Sequence, residues 1–102
     1  MGLDILTYRE DGDRIGMSDF DEELHQIIFS NDAINWDRYY FLCLINDYYK
    51  ANAMYAGKDL QSFIQELENI RSFIPKGKQY KLDYLLHSFS SDEIYKVRVT
   101  GD

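Results

Sequence analysis

The sequence predicts an α+β fold that is mostly helical, with about four helices packed against a small sheet made by the N- and C-terminal strands. The 102-residue chain is 45% apolar and 16% aromatic, which suffices for one core and a single domain over residues 1–102. Central segments repeat apolar residues at helical spacing, whereas both ends show short runs typical of strands. Because an isolated two-stranded ribbon is marginal in water, the terminal strands should pair and lie against the helices.

The first third of the chain predicts a strand, a turn and a helix. Leu3 to Arg9 is a short apolar run, and Asp11 to Asp13 supplies turn residues around Gly12. Ser18 or Asp19 can cap the helix that follows. The buried stripe of this helix has apolar residues spaced four, three and one apart, namely Phe20, Leu24, Ile27 and Ile28. Residues 30–32 end it.

The middle of the chain predicts two longer helices. The second runs from about residue 34 or 36 to Ala56, with Gly57 at its C-terminal cap. Its apolar residues cover more than one face, so it should be central in the fold. The third helix begins at the candidate cap Asp59 and stops at Pro75. Helical spacing supports it throughout, on Leu60, Phe63, Ile64, Leu67, Ile70 and Ile74.

The last quarter of the chain predicts a shorter helix and a strand. The fourth helix places its apolar side chains on Leu82, Leu85, Leu86 and Phe89. Residues 94–100 then alternate apolar and polar side chains, as a half-buried strand does.

Charge excludes several classes of function. Eighteen acids against eleven bases give a net charge of −7, which argues against nucleic acid and anionic membranes as direct partners. Residues 1–49 hold eleven acids and three bases, a balance of −8, so the whole excess lies in the first half.

No apolar run reaches a membrane span, residues 1–9 lack the features of a signal peptide, and one cysteine suits a reducing compartment. A cytoplasmic protein is therefore expected.

The most tempting motif is a calcium loop. Counted from Asp11, the EF-hand pattern is met by Asp13, Gly16, Asp19 and Glu22. It fails at the fifth position, where Ile15 has no side-chain oxygen, and the preceding segment reads as a strand instead of a helix. We expect a solvated acidic turn and no metal or other cofactor.

No catalytic constellation can be assembled from the sequence, so we expect no enzyme. Cys43 lies among apolar residues without a nearby histidine, which favours a core position over a nucleophile. His25 and His87 lack the partners of a zinc site. The paired acids are adjacent surface residues in a chain too small for an enclosed saccharide cleft. A small hydrolase that uses His25 with a nearby glutamate remains a distant alternative.

Aromatic residues indicate a protein-binding surface. Nine tyrosines and one tryptophan exceed what a small core needs, and both residue types are favoured interface anchors. Tyr48 and Tyr55 fall on the core stripe of the second helix and are expected to be structural. Trp36 and Tyr39 instead adjoin acids, which predicts either a partner-binding site or a second packing face.

Three features of the chain belong together: the opening strand Met1 to Ile5, the acidic stretch Met17 to Leu24, and the layout of a small, acidic, tyrosine-rich domain. In these features the chain resembles immunity proteins of bacterial contact-dependent growth inhibition systems. The resemblance implies that the chain binds the C-terminal domain of a cognate toxin, often a basic nuclease such as an RNase. It also implies that binding covers the toxin's active site or its substrate path.

The charge count predicts where a basic partner docks. The predicted partner-binding residues are Asp11, Asp13, Asp19, Asp21, Glu22, Glu23, Asp32, Trp36, Asp37 and Tyr39. The free protein is expected to be a monomer. Two alternatives stay open: these acids only cap and solubilise the first helix, or the chain is an acidic adaptor or regulatory module. Such a module would bind another protein or associate through the edge of a terminal strand.

Overall fold

An antiparallel sheet and four α-helices make up the α+β fold over residues 3–101, the part of the chain that the computed structural model describes. Met1, Gly2 and Asp102 lie outside the described residues, so the opening strand is described from Leu3. In chain order the elements are β1 (Leu3–Tyr8), β2 (Arg14–Phe20), α1 (Glu22–Phe29), α2 (Tyr40–Cys43), β3 (Asn52–Ala56), α3 (Lys58–Asn69), α4 (Gln79–Ser88) and β4 (Lys96–Thr100). Single 3₁₀ turns lie at Trp36–Arg38, Arg71–Phe73 and Lys76–Lys78.

The terminal strands pair with each other, as predicted. Strand order in the sheet is β2-β1-β4-β3, and every neighbouring pair is antiparallel. The β1 and β4 strands are aligned from Asp4 opposite Thr100 to Tyr8 opposite Lys96. Because both terminal strands occupy central positions, neither offers a free edge. Association through a terminal strand edge is therefore wrong, and the free edges belong to β2 and β3.

The predicted helix start at Ser18 or Asp19 is wrong, because both residues belong to β2. The predicted turn does form around Gly12, whose φ of +96° lies in the left-handed region that favours glycine. The chain then returns antiparallel along β1 instead of entering a helix. The true cap of α1 is Asp21, whose Oδ1 accepts the Leu24 N–H at 2.8 Å.

The predicted second helix is also wrong over most of its length. Only α2 and the 3₁₀ turn at Trp36–Arg38 are helical in this range, and residues 52–56 form β3, which pairs with β4. In β3 the buried Ala53 and Tyr55 alternate with the exposed Met54. Gly57 precedes α3 instead of ending a helix, and Asp59 lies in the first turn of α3 instead of capping it.

The helices cover one face of the sheet and enclose the core. Leu60, Phe63 and Leu67 of α3 are buried, as their spacing predicted, and α4 buries Leu82 and Leu85. The Phe63 ring stacks on that of Tyr55 with centroids 4.0 Å apart, which joins α3 to β3. Among residues 3–101, no helix has both the length and the apolar character needed to cross a membrane.

Candidate protein-binding surface

The predicted acidic residues of β2 and its turn are divided between the two ends of the strand. Asp11 and Asp13 lie in the turn, where the Asp13 N–H donates to Asp11 Oδ1 at 3.0 Å. Asp19 lies near the other end of β2, about 20 Å away at the usual rise of 3.3 Å per residue. Beside the turn are Asp92 and Glu93, which are not among the predicted partner-binding residues.

Two of the predicted acids are paired with lysines of the second half of the chain. Lys81 Nζ lies 2.9 Å from Asp21 Oδ2, and Lys78 Nζ lies 2.9 Å from Glu23 Oε1. Burial alone would raise the pKa of Asp21, but the bonds from Lys81 and the Leu24 N–H outweigh it and lower that pKa. The Lys78 bond lowers the pKa of Glu23. Much of this charge is therefore offset within the chain.

Trp36 and Tyr39 pack against the fold instead of standing free. The Trp36 ring stacks on Phe29 of α1, with centroids 5.0 Å apart and planes 13° from parallel. Tyr39 meets Trp36 edge to face at 6.0 Å. Both side chains are half-buried, which fits the predicted alternative of a second packing face. The neighbouring Asp32 and Asp37 are exposed.

A shallow groove of about 440 Å³ lies between α1 and the loop that follows α2, and we call it the acidic groove. Glu22 of α1 is the one predicted acid that lines it. The other lining residues are His25, Gln26, Phe29, Ser30, Asn46, Tyr48 and Tyr49. Tyr49 is 55% exposed, so most of its ring is available to a partner.

The buried His25 lies at the bottom of the acidic groove and connects α1 to the loop that follows α2. Its Nε2 lies 2.8 Å from the Ile45 carbonyl oxygen. The centroid of its ring lies 4.4 Å from that of Phe29 and 5.0 Å from that of Tyr48. Burial lowers the pKa of His25, so the ring is neutral near pH 7. In the neutral ring Nε2 then carries the hydrogen and donates a hydrogen bond to the Ile45 carbonyl oxygen.

A tight turn presents the tyrosines of the acidic groove. Asp47 Oδ1 accepts the N–H groups of Tyr49 at 3.0 Å and Lys50 at 3.1 Å, which fixes the chain after α2. The Tyr48 and Tyr49 rings then meet edge to face at 5.4 Å.

The charged side chain that lines the acidic groove is a carboxylate, that of Glu22. Burial raises the pKa of Tyr48, and the carboxylates of Glu22, Asp21 and Asp19 raise it further. Among the described residues, no lysine or arginine lines this groove. An exposed tyrosine beside carboxylates suits the Lys and Arg side chains of a partner, through charge and cation–π contact.

The surroundings of Cys43 oppose a nucleophilic role. Its Sγ donates to the Trp36 carbonyl at 3.5 Å, and burial together with Glu66 and Asp37 raises the pKa of the thiol. Reactive cysteines have the opposite setting, in which positive charge lowers the pKa. The candidate calcium loop, counted from Asp11 to Glu22, runs from the turn along β2 to the start of α1, so strand β1 precedes it instead of the helix that an EF-hand requires.

Comparisons with protein-family models, with curated proteins and with solved structures found no match for this chain. The candidate site therefore rests on the geometry of the chain itself. Sequence reasoning missed Asn46 and Asp47, because they lay inside the predicted second helix. The available signal was the run from Asn46 to Tyr49, in which an aspartate can close a turn.

Proposed function

We propose that this chain is a cytoplasmic immunity protein that binds the C-terminal domain of a cognate toxin, a basic nuclease such as an RNase. Binding would cover the toxin's active site or its substrate path. The observation that carries the proposal is the acidic groove, where Glu22 and the exposed Tyr49 face solvent and no lysine or arginine is found among the lining residues of the described chain. The net charge of −7 supports the same kind of partner.

The chemistry of a nuclease explains why such a groove suits it. A nuclease must attract phosphate, so the surface around its active site is positive. Carboxylates at the positions of phosphates satisfy the same basic groups. Complementary charge also raises association rates toward about 10⁸–10⁹ M⁻¹s⁻¹ at low salt, and speed favours neutralisation before the toxin acts.

The test uses the protein encoded beside this gene as the partner. The C-terminal domain of that protein is expressed alone and with this chain, and cell growth and the dissociation constant are measured. Glu22→Lys with Gln26→Lys adds three positive charges to the acidic groove. Gln65→Lys with Glu68→Lys adds the same charge to exposed positions of α3 and serves as the matched control.

The groove pair should lose protection of growth and slow association by about tenfold or more, with a weaker salt dependence. Tyr49→Ala should weaken binding by about 2 kcal/mol if the ring is a central anchor. The control pair should keep both binding and protection. A control that loses binding while the groove pair retains it would put the docking face elsewhere, and a non-toxic neighbour that binds would favour an adaptor.

A further inference from the structure

A second groove runs between the free edge of β2 and helix α4, and we call it the edge groove. It has a volume of about 470 Å³, and Met17, Tyr80, Tyr84 and Leu85 give it apolar walls. Asp19 and Lys81 lie at its polar rim. It shares no lining residue with the acidic groove, so it is a separate surface.

The backbone of β2 offers hydrogen bonds to the edge groove. Backbone groups in an antiparallel ladder point alternately to the two neighbouring strands. The Gly101 N–H donates to the Ala51 carbonyl at 2.6 Å, so the odd-numbered residues of β4 direct their backbone groups toward β3 and the even-numbered ones toward β1. The strand registers carry this alternation through β1 to β2. It places the N–H and C=O groups of Met17 and Asp19 on the free side of β2.

Large side chains stand exposed beside these backbone groups. Tyr80 and Tyr84 are four residues apart, hence on one side of α4, and are 62% and 74% exposed. Met17 is 67% exposed. Side chains of this kind are typical of interface anchors, and the combination with an open strand edge fits an extended peptide.

Charge indicates what that peptide carries. Asp19 lies directly opposite Asp4 on the uncovered face of the sheet, and like charges in that position are unfavourable. The ion pairs found within the described residues include neither carboxylate. A Lys or Arg at the end of an added strand would relieve this repulsion.

A second copy of the chain fits the edge groove less well. Two chains of charge −7 repel each other. A bulge beside Arg14 protects the other end of β2, whereas Asp19 is the one charged residue from Gly16 to Phe20. From Gly16 to Phe20 the edge contains neither proline nor lysine.

We propose that the edge groove binds an extended segment of a partner protein, which adds to β2 as a fifth strand. Side chains of the added strand alternate between the two faces of the sheet. On the helix side its apolar side chains contact Tyr84, and on the uncovered face, where Met17 and Asp19 both lie, a Lys or Arg faces Asp19 and Asp4. The proposal is independent of the function proposed above, since it concerns another surface and its test needs no toxin.

The probe is a synthetic capped peptide, Lys-Val-Thr-Val-Thr-Val-Lys, titrated into the isotope-labelled full chain and followed by NMR. A second peptide carries Glu in place of both lysines. Met17→Pro removes a backbone N–H that the fold does not use, so the variant should fold. Met54→Pro is the matched control, because Met54 is an exposed methionine at the equivalent position of the other edge strand, β3.

The lysine peptide should shift the β2 amide signals and slow hydrogen exchange at Met17 and Asp19. Met17→Pro should abolish binding, Met54→Pro should preserve it, and the glutamate peptide should bind about tenfold more weakly. Tyr84→Ala should weaken binding severalfold and gives a second measure if Met17→Pro does not fold. The proposal is overturned by no shifts at millimolar peptide, by shifts confined to β3, or by a concentration-dependent dimer through β2.

Discussion

Glu66 provides a test of how α2 is held in place. Its Oε1 accepts the Leu42 N–H at 2.9 Å and its Oε2 accepts the Phe41 N–H at 3.3 Å. Both donors lie in the first turn of α2, where Tyr39 supplies no side-chain cap. Loss of a cap costs about 0.5–2 kcal/mol, and hydrogen bonds to charged groups contribute about 1.5–3 kcal/mol each. Because Glu66 is half-buried, water can replace part of the hydrogen bonding that its carboxylate supplies. Glu66→Ala should therefore lower the free energy of unfolding by about 2 kcal/mol.

Urea unfolding at pH 7 measures this loss. With a slope of about 2 kcal/mol per molar urea, the midpoint should fall by about 1 M. Glu68→Ala, two residues further along α3 and exposed, should change stability by less than about 0.5 kcal/mol. Equal midpoints for the Glu66 and Glu68 variants would refute the capping role.

Three further changes test other parts of the fold. In Gly101→Ala the new Cβ would lie 2.5 Å from the Tyr49 carbonyl, so the melting temperature should fall by several degrees. Burial lowers the pKa of His25 from the unfolded value of 6.5, so the unfolded chain takes up that proton first as pH falls. Urea midpoints should therefore decline from pH 7 to pH 5, and His25→Gln should flatten the decline. By the same assay Asp21→Ala should cost about 1 kcal/mol through loss of the cap, and Asp21→Asn, which can still cap, should cost less.

Elements whose pattern is decided locally could be predicted from the sequence. The α3 helix buries Leu60, Phe63 and Leu67 in a helical stripe that no alternative period explains. The pairing of the two terminal strands was predicted from the alternation in residues 94–100 and from the instability of a lone ribbon. Neither inference needed knowledge of distant contacts.

The elements that could not be predicted depend on partners far away in the chain. Tyr55 fits the helical stripe with Tyr48 and Ala51, yet it also fits a strand, and pairing with Val97 of β4 decides the outcome. Gly57 was ambiguous in the same way, because a glycine can end one element or begin the next. Its φ of +56° serves the turn between β3 and α3.

The candidate site shows why a charge count along the sequence is a poor guide to a surface. Lys78 and Lys81 come from the half of the chain with a balance of +1, and they fold onto Asp21 and Glu23 of the other half. Asp19 stays unpaired among the described residues and serves both surfaces, since its charge acts on Tyr48 and its side chain borders the edge groove. A change at Asp19 would therefore confound the two proposals. Variants of Glu22 and of Met17 separate them, because each residue lines one groove alone.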